Sequence, residues 1–190
     1  TPSEQGLLQV LAPLLPYLQH LIDQLLDYNR KQADGPVARE AVDLVDLVEN
    51  VVAAHSLPAR AKLMHTELTL QARRCLAEPA LLISVMDNLY SNAVHYGAES
   101  GNIRIHSYRH GEQVRIDVAN SGEPIPAAEK NMIFEPFYQG SHQRKGAVKG
   151  SGLGLSIARD CVRQMQGELS LVDAPAGQVC FRITLPSAPE

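Results

Sequence analysis

Hydrophobic spacing changes character once along this chain, at Asp34-Gly35-Pro36, and that change divides it into two kinds of structure. Before it, Leu11, Leu14, Leu15, Leu18, Leu21, Ile22, Leu25 and Leu26 recur at steps of three and four. That is the period of one helix face, so a helix is expected from Leu7 to Gln32. Pro13 and Pro16 confine its regular part to the residues after them, or kink it, because proline lacks the N–H that a helix interior needs. Asp34-Gly35-Pro36 then stops it. An apolar stripe without a partner of its own predicts pairing, either in a dimer or against a neighbouring helix.

Beyond residue 36 the pattern is mixed α/β. Glu40 to Leu44 starts a short strand, and Leu44, Leu47, Val48, Val51 and Val52 follow helical spacing. His65 to Gln71 alternates, with Leu68 and Leu70 on one face and Thr69 and Gln71 on the other, as a strand requires. Arg73 to Ala77 is a further short strand. Glu78 to Tyr96 is a long helix through Leu81, Leu82, Val85, Met86 and Leu89. Strands are expected at about 102–109 and 113–119, with His110-Gly111-Glu112 as the hairpin turn. Residues 121–151 hold much of the Gly, Pro and Lys without sustained periodicity, and a loop that long in a compact domain is more often than not functional or mobile. A helix near 153–166 and strands near 168–173 and 178–185 complete the chain.

The totals exclude several classes. A net charge of -4 lacks the basic excess of a nucleic-acid-binding surface. No apolar run approaches the ~18 residues of a membrane span, and no signal peptide is visible. Cys75, Cys161 and Cys180 are odd in number and have no CxxC spacing, which fits a reducing cytoplasm and buried thiols rather than a disulfide or zinc framework.

Four short segments carry chemistry. In Asp87-Asn88-Leu89-Tyr90-Ser91-Asn92-Ala93-Val94-His95-Tyr96, residues 88, 92 and 96 share a helix face. The two carboxamides offer neutral oxygen ligands of the kind magnesium takes alongside phosphate; on their own they also suit a solvated face. Asn120-Ser121-Gly122-Glu123-Pro124-Ile125-Pro126 ends a strand in a polar turn, where Asn120 can read a base and Gly122 lets a ligand approach the backbone; an ordinary turn has the same composition. Gly150-Ser151-Gly152-Leu153-Gly154-Leu155 runs straight into an amphipathic helix, where exposed N–H groups make a phosphate cradle. It lacks the GK[ST] ending of the P-loop. Ile133-Phe134-Glu135-Pro136-Phe137-Tyr138 tacks a polar loop to the core.

In order and spacing, these segments resemble the catalytic domain of sensor histidine kinases, a branch of the Bergerat-type ATPases that includes gyrase, the Hsp90 chaperone and MutL. Asn88 to Tyr96 resembles the N box, Asn120 to Pro126 the G1 box, Phe134 to Tyr138 the F box and Gly150 to Leu155 the G2 box. The resemblance covers roughly residues 37–186. It extends to Leu21–Arg30, which reads like the end of the family's second dimerisation helix, and its finer affinity is to the GlrK (QseE) subgroup.

The resemblance implies an α+β fold: a two-layer sandwich with a mixed sheet of about five strands and helices on one face, preceded by the long amphipathic helix. Residues 1–35 are then the second helix of a dimerisation domain and 36–190 the ATP-binding domain. Carried over by position, Asn92 ligates magnesium with Asn88 beside it, Tyr96 packs near adenine and Asn120 meets the adenine amino group. His95, Gly122, Ile125, Tyr138, Lys149, Gly150, Ser151, Gly152, Leu153, Gly154 and Leu155 complete the nucleotide set. A lid spans about 139–150, with Arg144, Lys145 and Lys149 available to phosphate. The implied partners are ATP or ADP, magnesium, a response regulator and a second copy of the sensor, and the implied setting is the cytoplasmic part of an inner-membrane protein.

Four positions depart from the family pattern. Asn120 stands for its aspartate, Pro124 for its second G1 glycine, His95 for the N-box lysine and Gln139 for the arginine after the F-box tyrosine. At Asn88 the hydrolytic relatives carry a glutamate that activates water; a carboxamide takes no proton at neutral pH, which favours transfer to an acceptor other than water. None of His20, His55, His65, His95, His106, His110 and His142 is followed by the family's phosphoacceptor pattern. The stretch from Pro2 to the end of the stripe is too short for two antiparallel helices, so the helix bearing the acceptor is expected to be absent. Two other readings stay open: an ATPase of the gyrase and MutL type, and a degenerate module that binds partners without catalysis.

Overall fold

The computed structural model describes residues 2–33, 37–138 and 154–189. Two helices come first, α1 (Pro2–Leu11) and α2 (Leu15–Ala33), joined by a 3-10 turn at Ala12–Leu14. Pro13 accounts for the tightening, since it removes one N–H from the ladder and fixes φ. Helix therefore exists on both sides of the prolines and begins earlier than Leu7. The expected stop at 34–36 lies outside the described residues.

Next come β1 (Glu40–Asp43), α3 (Leu44–Ala54), α4 (Ser56–Ala61), β2 (His65–Leu70), β3 (Arg74–Ala77) and α5 (Pro79–Tyr96). Asp43 caps α3 by accepting from Val45 N at 2.9 Å and Asp46 N at 3.2 Å. Glu78 does the same for α5 through Ala80 N and Leu81 N, with Pro79 in the first turn, where its missing N–H does no harm. The sequence reading missed α4, a single short helix containing Pro58. The chain continues through the hairpin β4 (Asn102–His110) and β5 (Gln113–Ser121), a 3-10 turn at Ala127–Glu129, then α6 (Gly154–Gln164), β6 (Glu168–Val172) and β7 (Gln178–Pro186). The β4–β5 turn is Gly111-Glu112, with Gly111 at φ 62.

Five strands form one mixed sheet in the order β2-β4-β5-β7-β6, and β1 pairs with β3 in a separate two-stranded ladder. Only β2 and β4 run parallel; the other neighbours in the five-stranded sheet are antiparallel. Alternation decides the faces. Ile103 and Ile105 on β4, Val114, Ile116 and Val118 on β5, and Phe181, Ile183 and Leu185 on β7 are buried. They form a core with Leu82, Val85, Met86 and Leu89 of α5 and Ile157, Ala158, Cys161 and Val162 of α6. Each Val, Leu, Ile, Phe or Met side chain among them contributes on the order of 1.5–3 kcal/mol by leaving water. Between the buried positions, Arg182 makes a two-point ion pair with Asp117, at 2.9 and 3.1 Å. Cys75, Cys161 and Cys180 are buried and form no disulfide. No helix among the described residues is long and apolar enough to cross a membrane.

Candidate functional site

Three pieces of backbone converge beside the sheet: the exposed face of α5, the start of α6 and the end of β5. On α5, Asn88 is half-buried, and its Nδ2 donates to Ser84 O at 2.9 Å, one turn back. That commits the amide nitrogen and leaves Oδ1 as an acceptor. Oδ1 faces the first turn of α6: a Cβ added at Gly154 would sit 3.1 Å from it. Asn92 is half-exposed one turn further along α5. Two segments 66 positions apart, from 88 to 154, thus meet at a helix N-terminus, where unpaired N–H groups and the helix dipole favour an anion.

The second cluster lies where α5 ends. Asn120 is buried on β5, in register with Ile103 of β4 and Val179 of β7. Its Nδ2 donates to Ser121 O at 3.0 Å, which turns Oδ1 into the acceptor available for a ligand. Gly122 comes next, its N–H bonded to Gly177 O at 2.9 Å. A Cβ at Gly122 would lie 3.2 Å from Asn120 Nδ2 and 3.3 Å from Tyr96 O, so glycine is what allows the strand end and the helix end to approach. Ala98 N donates to Ser121 O at 2.8 Å and ties them together. Tyr96 is partly exposed, its hydroxyl pushed above the usual phenol range by burial, and its ring meets that of His95 edge-on at 4.6 Å.

Residues 77–189 match the family described as histidine kinase-, DNA gyrase B- and HSP90-like ATPase. The chain belongs to this family. The relatives it matches most fully are sensor histidine kinases. It is 67% identical to sensor histidine kinase GlrK of Escherichia coli K12 over 188 residues, which is 99% of the chain and 40% of that protein. The chain therefore spans about 40% of the length of this curated relative. The nucleotide-free catalytic domain of histidine kinase ThkA superposes with a TM-score of 0.69 at 29% identity, covering 80% of the chain and all of that domain. ThkA in complex with the response regulator protein TrrA gives 0.73 at 26% identity, over 95% of the chain and 50% of the ThkA chain.

In this domain the segment that resembles the F box is anchored at both ends. Phe134 is buried, meets Phe181 edge-on at 6.2 Å, and carries the Arg159 guanidinium 4.7 Å above its ring. Tyr138 donates to Glu129 Oε1 at 2.8 Å, and that bond to a carboxylate raises the Tyr138 hydroxyl. Ile125 and Leu155 are half-buried against the core. His95 lines a cavity of about 360 Å³ with His55, Pro58, Lys62, Ser91 and Val94. Residues 139–153, which include Lys149, Gly150, Ser151, Gly152, Leu153 and the expected lid, lie outside the described residues.

Sequence reasoning missed Lys62, Arg159 and Glu129. Each acts on a partner brought near by folding, 32 residues away for Lys62 and Val94, so no local pattern announces it. A short contact between His55 Nε2 and Asp87 Oδ1, at 2.6 Å, joins the end of α3 to α5 and was equally invisible.

Proposed function

We propose that this chain binds Mg-ATP and delivers its γ-phosphoryl to a histidine on another helix of the same sensor kinase, for relay to an aspartate of a response regulator. The observation that carries this is Asn88: a carboxamide, with its oxygen on the first turn of α6, where a hydrolytic relative needs a general base. With no group there to deprotonate water, transfer to imidazole is favoured. The bond from the γ-phosphorus to the β–γ bridging oxygen breaks, a P–N bond forms, ADP leaves with the bridging oxygen and the imidazole releases its N–H proton to water. Asn88 and Asn92 would hold magnesium through neutral oxygens, and the acceptor oxygen of Asn88 beside a glycine that keeps its approach clear suits that task. When bound, magnesium supplies charge neutralisation on the phosphate. Asn120 and Tyr96 take the adenine, and the N-terminus of α6, with the glycines before it, takes the phosphates.

In this reading residues 1–35 are a dimerisation helix and 36–190 the catalytic domain, within the cytoplasmic part of an inner-membrane sensor. The ThkA–TrrA complex supports a response regulator as partner. A non-catalytic interaction module is the second reading, favoured by Asn120 in place of the usual aspartate and by Pro124 in place of a glycine.

Calorimetric titration with ATP and ADP, with and without magnesium, tests both. Saturable binding that weakens about tenfold or more without magnesium and in Asn92→Ala is expected, matching the loss of a ligand shared with phosphate. No binding at millimolar nucleotide by a folded sample would leave the interaction module.

A further inference from the structure

The last turn of a helix leaves carbonyls without partners, and chains usually close them with a residue in the left-handed conformation just past the end. Helix α5 does not. Gly97 leaves it in an extended conformation, φ -63 and ψ 154, and its N–H reaches only Ala93 O. Two of the remaining acceptors, and the carbonyl of Gly97 just past them, are met from outside. Lys62, at the end of α4, donates from Nζ to Val94 O at 2.7 Å, His95 O at 2.9 Å and Gly97 O at 2.7 Å. These three bonds match the three hydrogens of an ammonium, and the positive charge sits at the negative end of the helix dipole. The Lys62 carbonyl also accepts from Ser100 N at 2.8 Å.

We infer that Lys62 is a positioning residue for the nucleotide site, holding the end of α5 so that Tyr96 and Asn120 face the same adenine. The segment it grips carries Tyr96 and runs into Ala98, which is bonded to Ser121 O beside Asn120. There is little slack around it: a Cβ at Gly97 would lie 2.4 Å from Met64 Cε and 2.5 Å from Ala93 O. The Nζ cluster is the polar contact through which α4 holds this turn.

The inference depends on the nucleotide reading above, and the test separates the two. ADP affinity at 10 °C is compared among wild type, Lys62→Met and Lys62→Arg, each with and without magnesium, beside thermal unfolding. Lys62→Met should weaken ADP about tenfold or more, the scale expected when a binding group is misplaced by a fraction of an ångström. The ratio of affinities with and without magnesium should stay unchanged, and Lys62→Arg should recover most of the loss. A Lys62→Met chain that melts earlier yet binds ADP within twofold of wild type would make Lys62 a stability element only and overturn the inference. Should Lys62→Met not fold, the wild-type chain still decides. Its thrice-bonded ammonium should give a slowly exchanging 15N–1H signal that moves on saturation with ADP and stays put with magnesium alone; a signal unmoved by ADP rejects the role. Failure of wild type to bind ADP would sink the nucleotide reading, and this one with it.

Discussion

Asn120 meets the site with its amide already oriented. The Nδ2 bond to Ser121 O at 3.0 Å fixes which end faces inward, and an inward oxygen can accept from the adenine amino group. Asn120→Ala should weaken ATP and ADP alike by roughly 1–3 kcal/mol, since the amino group would be buried without an acceptor; calorimetry at constant magnesium reads this directly. That position 120 ends a strand in a polar side chain was legible in the sequence. Its orientation was not, because the deciding carbonyl is placed by the strand's exit towards Gly122. The cysteines give a second prediction at this scale. Burial pushes the Cys75 thiol from 9 up to about 12 and Cys180 up to about 11. The folded chain therefore holds these protons when the unfolded chain has begun to release them. Their contribution is full below pH 9 and is lost as pH climbs from there through the folded values. Native protein at pH 8 should resist iodoacetamide at these two thiols and label quickly in denaturant, as mass spectrometry would show.

Among the elements, α6 joins segments that are far apart in the chain. Its first turn faces Asn88, its middle carries Arg159 over the Phe134 ring, and its end runs into Gly167. A Cβ at Gly167 would lie 2.2 Å from Thr184 O on β7, a backbone atom that cannot swing aside. Gly167→Ala should therefore destabilise the fold by about 1–3 kcal/mol, visible as a lower denaturation midpoint with an unchanged slope. Phe134→Ala removes a buried ring between β7 and α6 and should cost about 3–5 kcal/mol in the same assay. Most elements could be read from periodicity, because α5, β4 and β5, and β7 from Phe181 onward, repeat their burial at the spacing of their own backbone. The short α4 could not, since six residues with a proline show no period. Nor could the parallel pairing of β2 with β4, which joins strands separated by the whole of α5.

Over the whole molecule, the leading helices behave differently from the rest. Leu21 and Leu25 pack against the core, with α2 beside α6, while Leu7, Leu8, Leu11, Leu14, Leu15, Leu18, Ile22 and Leu26 are exposed. The stripe is thus divided, with one part folded back on the domain and the larger part exposed. If a second copy covers it, sedimentation at rising concentration should show self-association, and Leu11→Glu combined with Leu18→Glu should abolish it without changing nucleotide affinity. A monomer at every concentration would assign that face to a different helix.

Local spacing alone was enough to set the order of leading helix and mixed α/β elements and most of their buried faces; the family resemblance added the sandwich and the order of the four candidate segments. A side chain's direction depends on its position along its own helix or strand, so the faces are written in the chain's near neighbours. Three features came only with folding: Asn88 reaches Gly154, α2 divides its stripe, and Lys62 closes α5. These are meetings between distant segments, set by how the core packs, and no residue's near neighbours in the chain encode them.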